Sequence, residues 1–173
     1  MSTKENVELS KSYITDALFY LMEGTQYEEI SISDIVKKAG VGRATFYRHF
    51  KTKDDIVREY FVARTNAFLQ SITQTPSNSD DYYENIFTAF SLLKKEKRAF
   101  QCLLAAHMES FYLDYVNKMM VRLFSTNDYS ALHYMPYHIA GSLCNISLEW
   151  VRRDCKESVQ AMADEYFAML FTS

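Results

Sequence analysis

Residues that punctuate turns are scarce in this chain: four glycines and two prolines in 173 residues. An all-β sandwich or barrel needs a reversal roughly every 8–12 residues, and so few breakers cannot supply them, which leaves an all-α fold. Cysteine is scarce as well. Cys102, Cys144 and Cys155 are odd in number and in no metal-like spacing, so neither a disulfide framework nor a zinc site is expected; they read as buried thiols in a reducing compartment. No apolar run approaches the roughly 18–20 residues of a membrane span, and the polar start 1-MSTKENVELSKS-12 lacks the apolar stretch of a secretory signal. The expectation is a cytoplasmic protein with no membrane partner. Aromatic residues, by contrast, are abundant. Thirteen Tyr, twelve Phe and one Trp, in a chain 48% hydrophobic, are enough to bury a substantial core.

Apolar periodicity then places the helices. Ile14, Ala17, Leu18, Leu21 and Met22 share one face of a helix over about 6–23, with Gly24 as its stop. Ser31 is a candidate N-cap, and Asp34 three residues on makes an acidic capping box for a short helix ending near Ala39. The stretch 40-GVG-42 interrupts, and 43-RATFYRHF-50 resumes with Phe46 and Phe50 four apart. Helix, short glycine-containing turn and helix is the spacing of a helix-turn-helix: Gly40 supplies the positive φ, and Ile35, Val41 and Phe46 lock the crossing. A longer helix runs from Lys53 to about Ile72 with Ile56, Tyr60, Ala63, Ala67 and Phe68 inward. It meets 73-TQTPSNSDD-81, the clearest linker in the chain. Further helices are expected near 82–95, 97–106, 108–125, 131–154 and 156–171, about nine in all. The domain reading is 1–52 for the helix-turn-helix, 53–75 for a connecting helix and 76–173 for a second helical domain.

Charge is polarised along this layout. Residues 37–53 hold Lys37, Lys38, Arg43, Arg48, Lys51 and Lys53 and no acid, so a chain of net charge −3 minus this +6 leaves −9 on the remainder. A basic patch on an otherwise acidic molecule suits a polyanion, although a lone basic cluster is more often a solvated face. The conjunction with a capped helix, a glycine turn and a second short helix points to double-stranded DNA. In that geometry Arg43 is placed to bridge O6 and N7 of guanine, Thr45 to touch a thymine methyl or a phosphate, and Tyr47, His49 and Lys53 to anchor on phosphates. Arg48 and Lys51 add general electrostatics.

The stretch 31-SISDIVKKAGVGRATFYRHFKTKDDIV-57 resembles the DNA-binding domain of the TetR family of bacterial transcriptional regulators, whose pattern runs Thr/Ser, Ile-Ala, Ala-Gly-Val-Ser, Thr-hydrophobic-Tyr, His/Tyr-Phe and Lys. The resemblance covers about residues 10–60. It implies DNA contacts at Ser31, Ser33, Gly42, Arg43, Thr45, Tyr47, His49 and Lys53. Three positions depart from the pattern: Gly42 stands where Ser is usual and removes a side-chain cap, Val36 replaces an Ala at a tight contact, and Ala44 replaces a frequent Gly.

The resemblance also implies a second domain that dimerises and holds an effector pocket, and 138-HIAGSLCNISLEWVRRD-154 is similar to one large TetR subgroup there. A homodimer interface is expected from Ile139, Leu143, Ile146, Trp150, Val159, Met162, Tyr166, Phe167 and Leu170, the alternative being that these stripes are the chain's own core. A pocket for a small apolar or aromatic effector is assigned to Phe87, Phe90, His107, Phe111, Tyr115 and Tyr137, against the plainer reading of aromatic core packing. No cofactor, metal site or catalytic motif is expected. Cys102 with His107, and His133 with His138, are five apart and poorly placed to share an ion on a helix. The functional expectation is a sequence-specific transcriptional regulator, a homodimeric repressor released by a small molecule; the alternative is a regulator whose second domain answers to a partner protein.

Overall fold

The computed structural model describes residues 3–72, 76–125 and 133–171. These residues form α1 (Thr3–Leu21), a 3-10 turn (Tyr27–Glu29), α2 (Ile32–Ala39), α3 (Arg43–His49), α4 (Lys53–Ser71), α5 (Ser79–Lys95), α6 (Lys97–Ala105), α7 (Glu109–Ser125), α8 (Met135–Arg152) and α9 (Val159–Phe171). The all-α expectation holds, with nine α-helices among the described residues. Part of the expected linker is already helix. Asn78 caps α5 by accepting from the Asp81 N–H at 2.9 Å, so the helix begins at Ser79; Thr73 to Thr75 lie outside the described residues, as does the expected break over 126–130.

Two compact units divide the chain: Met1–Ala63 with Cys102–Met108, and Arg64–Gln101 with Glu109–Ser173. The division falls inside α4 and not at the linker, and a piece of α6 belongs to the first unit.

In the first unit α1, α2 and α3 pack around Ile14, Leu18, Ile35, Phe46, Ile56, Val57 and Phe61, all of which are sealed from solvent, with Leu103 from the 102–108 segment. The inward face of α4 differs from the expected one. Ile56, Val57, Phe61 and Thr65 are buried while Ala63 and Ala67 are exposed, because a methyl side chain is too small to mark which face a helix buries. In the second unit α5 packs on α9 and α7 on α8. Phe90 is fully buried there and meets Trp150 edge-on at 5.7 Å and Tyr166 at 5.8 Å, the arrangement in which a ring's positive edge meets another's negative face. Val116, Met119, Met120, Ala140 and Cys144 form a second buried cluster in this unit.

Candidate nucleic-acid interface

Local chemistry fixes the two short helices. Ser31 and Asp34 form a complete capping box: the Asp34 N–H donates to the Ser31 hydroxyl oxygen at 3.2 Å, and the Ser31 N–H and hydroxyl donate to the Asp34 carboxylate at 3.0 and 2.5 Å. The hydrogen bonds from Ser31 hold the Asp34 carboxyl below its ordinary range. Gly40 ends α2 at φ +67°, where its N–H and that of Val41 close back on the carbonyls of Lys37 and Val36, the six-to-one closure of a Schellman motif. Gly42 caps α3 without a side-chain bond, at an ordinary φ of −81°. A Cβ added there would meet nothing within 4 Å, so packing does not require glycine at this position. A second capping box, not foreseen from the sequence, starts α4: the Asp55 N–H donates to the Thr52 hydroxyl at 3.3 Å, and the N–H groups of Thr52 and Lys51 donate to the Asp55 carboxylate at 2.8 and 3.0 Å. Burial raises the Asp55 pKa, but these hydrogen bonds outweigh it and the net shift is downward.

The outer face of α3 consists of Arg43, Ala44, Tyr47 and Arg48, all exposed, with Thr45 half-buried beside them and Lys51 exposed just beyond the helix. Phe46 is fully buried, and Phe50, capping the helix in extended geometry, packs against it at 5.9 Å between ring centroids. The Arg43 guanidinium donates to the Ser33 hydroxyl at 2.5 Å, so Ser33 orients the expected base reader. Tyr47 is 57% exposed, with its ring edge-on to Phe46. Arg48 and Lys51, which the sequence left without specific roles, present side chains free of ion pairs among the described residues.

Besides the Arg43–Ser33 pair, three more of the expected DNA contacts are engaged within the chain. The Ser31 hydroxyl is used in its capping box. His49 is half-buried, and its Nε2 lies 2.8 Å from the Ser10 hydroxyl of α1. Burial, followed by the charges of Lys11 and Arg48, lowers its pKa and so favours the neutral imidazole. The Lys53 ammonium donates to the backbone carbonyls of Tyr27, of Glu28 at 3.1 Å and of Ile30 at 3.0 Å. Residue spacing could not show this, because the three acceptors lie more than twenty residues earlier in the chain.

The second unit holds an apolar cavity of about 110 Å³ between the end of α4 and helices α5, α7, α8 and α9. Phe68, Ala89, Met120 and Leu143 line it, and among the described residues no acidic or basic side chain does. The six residues assigned to the pocket lie elsewhere. Phe90 is sealed among Trp150 and Tyr166, His107 is exposed in the first unit, Phe111 and Tyr115 stack on each other at 6.3 Å, Phe87 is half-buried on α5, and Tyr137 is exposed at the start of α8. Four residues expected at a dimer interface, Ile139, Leu143, Tyr166 and Leu170, line the cavity instead. Trp150 and Met162 are buried within their own unit. Ile146, Val159 and Phe167 remain partly exposed, and Ile146 lines a shallow groove of about 330 Å³ with Arg153, Glu165 and Met169.

Comparison with known proteins agrees with this geometry. Residues 14–60 match the model for bacterial regulatory proteins of the tetR family, and residues 68–172 match a transcriptional regulator C-terminal region. An HTH-type transcriptional regulator of Staphylococcus aureus (strain USA300) is 30% identical over 82 residues, 47% of this chain and 43% of that protein, so the match spans under half the length of such relatives. Among solved structures, Lin0861 from Listeria innocua superposes with a TM-score of 0.78 at 18% identity, covering 96% of this chain and 91% of that one. The dihydroxyacetone kinase operon activator DhaS gives 0.64 at 21% identity, covering 93% of each chain. The regulator FadR from Bacillus subtilis, in complex with stearoyl-CoA, gives 0.62 at 19% over 93% and 97%. These structural likenesses establish the shared fold. The chain belongs to the TetR family and is a helix-turn-helix transcriptional regulator.

Proposed function

We propose that this regulator binds a pseudo-palindromic operator as a homodimer, represses from it, and is released when a small apolar molecule occupies the cavity of the second unit. The observation that carries the reading is the outer face of α3, where Arg43, Tyr47 and Arg48 are exposed side by side above a fully buried Phe46. Arg43, oriented by Ser33, reads a base; Thr45, Tyr47 and Arg48 contact the backbone, with Gly42 allowing close approach at the helix start. In a dimer built on the partly exposed residues of α8 and α9, two such helices would sit about one turn of DNA apart, roughly 34 Å.

The cavity supports the effector. Among the described residues its lining carries no charge, and it includes Phe68 of α4, the helix that begins at Lys53, and Ile72 just beyond that helix. A ligand that favours one position of α4 favours one separation of the recognition helices, and DNA affinity falls by the differential binding energy. FadR in its stearoyl-CoA complex is consistent with an apolar ligand in this fold. At about 110 Å³ the cavity suits something no larger than benzene, which fills a void of about 150 Å³, unless the lining gives way. The alternative of a protein partner is better served by exposed aromatic surface on 82–125. Among the described residues of that stretch, Val121 alone is an exposed large hydrophobic.

A binding selection on randomised duplexes tests the reading. A two-fold symmetric consensus is expected, and Arg43→Ala should relax base preference at one position of each half-site by about 1–3 kcal/mol. Recovery of no symmetric sequence would sink it.

A further inference from the structure

We propose that Lys53 is a positioning residue: its ammonium clasps the turn before α2 to the first turn of α4, and it makes no contact with phosphate. A lysine at a helix N-terminus faces the positive end of the helix dipole, an unfavourable place for a cation. Here that charge is compensated within the chain. An ammonium has three N–H donors, and the carbonyls of Tyr27, Glu28 and Ile30 provide an acceptor for each. The same ammonium lies 4.4 Å from the centre of the Tyr27 ring, within cation–π range. The next residue holds the same turn: the hydroxyl of Tyr27, itself 6% exposed, donates to the Asp54 carboxylate at 2.5 Å. To reach a phosphate, Lys53 would have to leave three carbonyls, two of these bonds being partly buried.

The clasp has a direct consequence for the reading head. Ile30, one of the acceptors, immediately precedes Ser31, the N-cap of α2. A displacement of the start of α4 is therefore delivered to the start of α2, and through the Gly40 turn to α3. Lys53 acts at the point where movement of α4 becomes movement of the recognition helix.

Two readouts test this, and only the first rests on α3 binding DNA. Salt dependence of binding to a random-sequence duplex should keep its slope in Lys53→Met, because no phosphate contact is lost; a phosphate-bound lysine would reduce the slope by about 0.9. Lys53→Arg keeps the charge and spares the fold, but a planar guanidinium cannot point three donors at three converging carbonyls. Hydrogen exchange should then show loss of protection at the N–H groups of Glu29 and Ile30, which close the 3-10 turn onto Gln26 and Tyr27. A slope reduced by about one in Lys53→Met overturns the proposal, and so does unchanged protection in Lys53→Arg. If the wild-type chain binds no duplex at all, the DNA reading of α3 has failed, and the exchange experiment still decides the clasp.

Discussion

The first sixty residues and the chain beyond residue 76 end their helices by different means. Both regions start helices with local caps, Ser31 with Asp34 and Thr52 with Asp55 in the first and Asn78 with Asp81 in the second, but in the first it is Gly40, at φ +67°, that closes α2. In the second, α6 ends with His107 at φ +52°, and α8 ends with Asp154 at +66° and Cys155 at +51°, left-handed residues that are not glycine. The same six-to-one closures form there, from Met108 to Leu103 and from Cys155 to Trp150, so geometry is shared while the residue that usually signals it is missing. Two short helices that must cross at one angle have little packing surface to enforce it, and each end carries its own instruction. α8, eighteen residues long with Cys144, Leu148, Trp150 and Val151 buried, can absorb strained terminal residues, and α6, of nine, does so with Phe100 and Leu103 buried.

The most damaging way to break that contrast is to remove packing where local signals are strongest. Phe46→Ala should cost about 3–5 kcal/mol, as for other buried aromatic truncations, since Phe46 is fully buried beneath the exposed face of α3. Urea unfolding measures it. A cost under about 1 kcal/mol would mean that the caps alone hold the motif and that the core under α3 is dispensable.

A matched pair of backbone substitutions sharpens the contrast at smaller energies. Gly40→Ala should cost about 1–2 kcal/mol, the penalty of a Cβ in left-handed geometry; the added atom would meet nothing within 4 Å, so the whole effect is conformational. His107→Gly should act in the opposite direction and stabilise by about 0.5–1 kcal/mol, because it relieves the same strain and loses a little to the added freedom of the unfolded chain. Thermal melts of the two variants beside wild type give the signs. Equal signs would show that local geometry does not distinguish the two regions.

Legibility followed the same division. The helix order, the capping box at Ser31, the Gly40 turn and the burial of Phe46 and Phe50 could be read from residues because they are consequences of neighbours three or four positions away. Whether Lys53 faces outward or back onto the Tyr27–Ile30 turn depends on residues far apart in sequence, and so does the pairing of His49 with Ser10. The cavity is the extreme case. Phe87, Phe90, Phe111 and Tyr115 were reasonable aromatic candidates, yet a void is defined by where side chains fail to meet, and it opened between Phe68, Ala89, Met120 and Leu143. Periodicity reports which face of a helix is buried and is silent on what lies opposite it. Hence the interface stripe on α8 and α9 turned out, at Trp150, Met162 and Tyr166, to be the unit's own core.

The smallest effect expected bears on the tertiary tie between α3 and α1. The Ser10 hydroxyl sits 2.9 Å from the carbonyls of both Asn6 and Val7, so its single proton is directed there and the His49 Nε2–H donates to it at 2.8 Å. Burial first, then Lys11 and Arg48, lower the His49 pKa, while Glu59 and Glu8 pull the other way. The unfolded imidazole takes up a proton near its ordinary value of 6.5 and the folded one only at lower pH. Below that value the unfolded state therefore binds more protons, and stability falls as the solution is acidified; above it, His49 contributes no slope. His49→Gln, which keeps a donor for Ser10 and cannot titrate, should lose less stability than wild type between about pH 6.5 and pH 5 and behave alike near pH 8. Urea midpoints across that range measure the difference. Identical pH slopes would mean that the end of α3 is held by its own cap at Phe50 and gains nothing from α1.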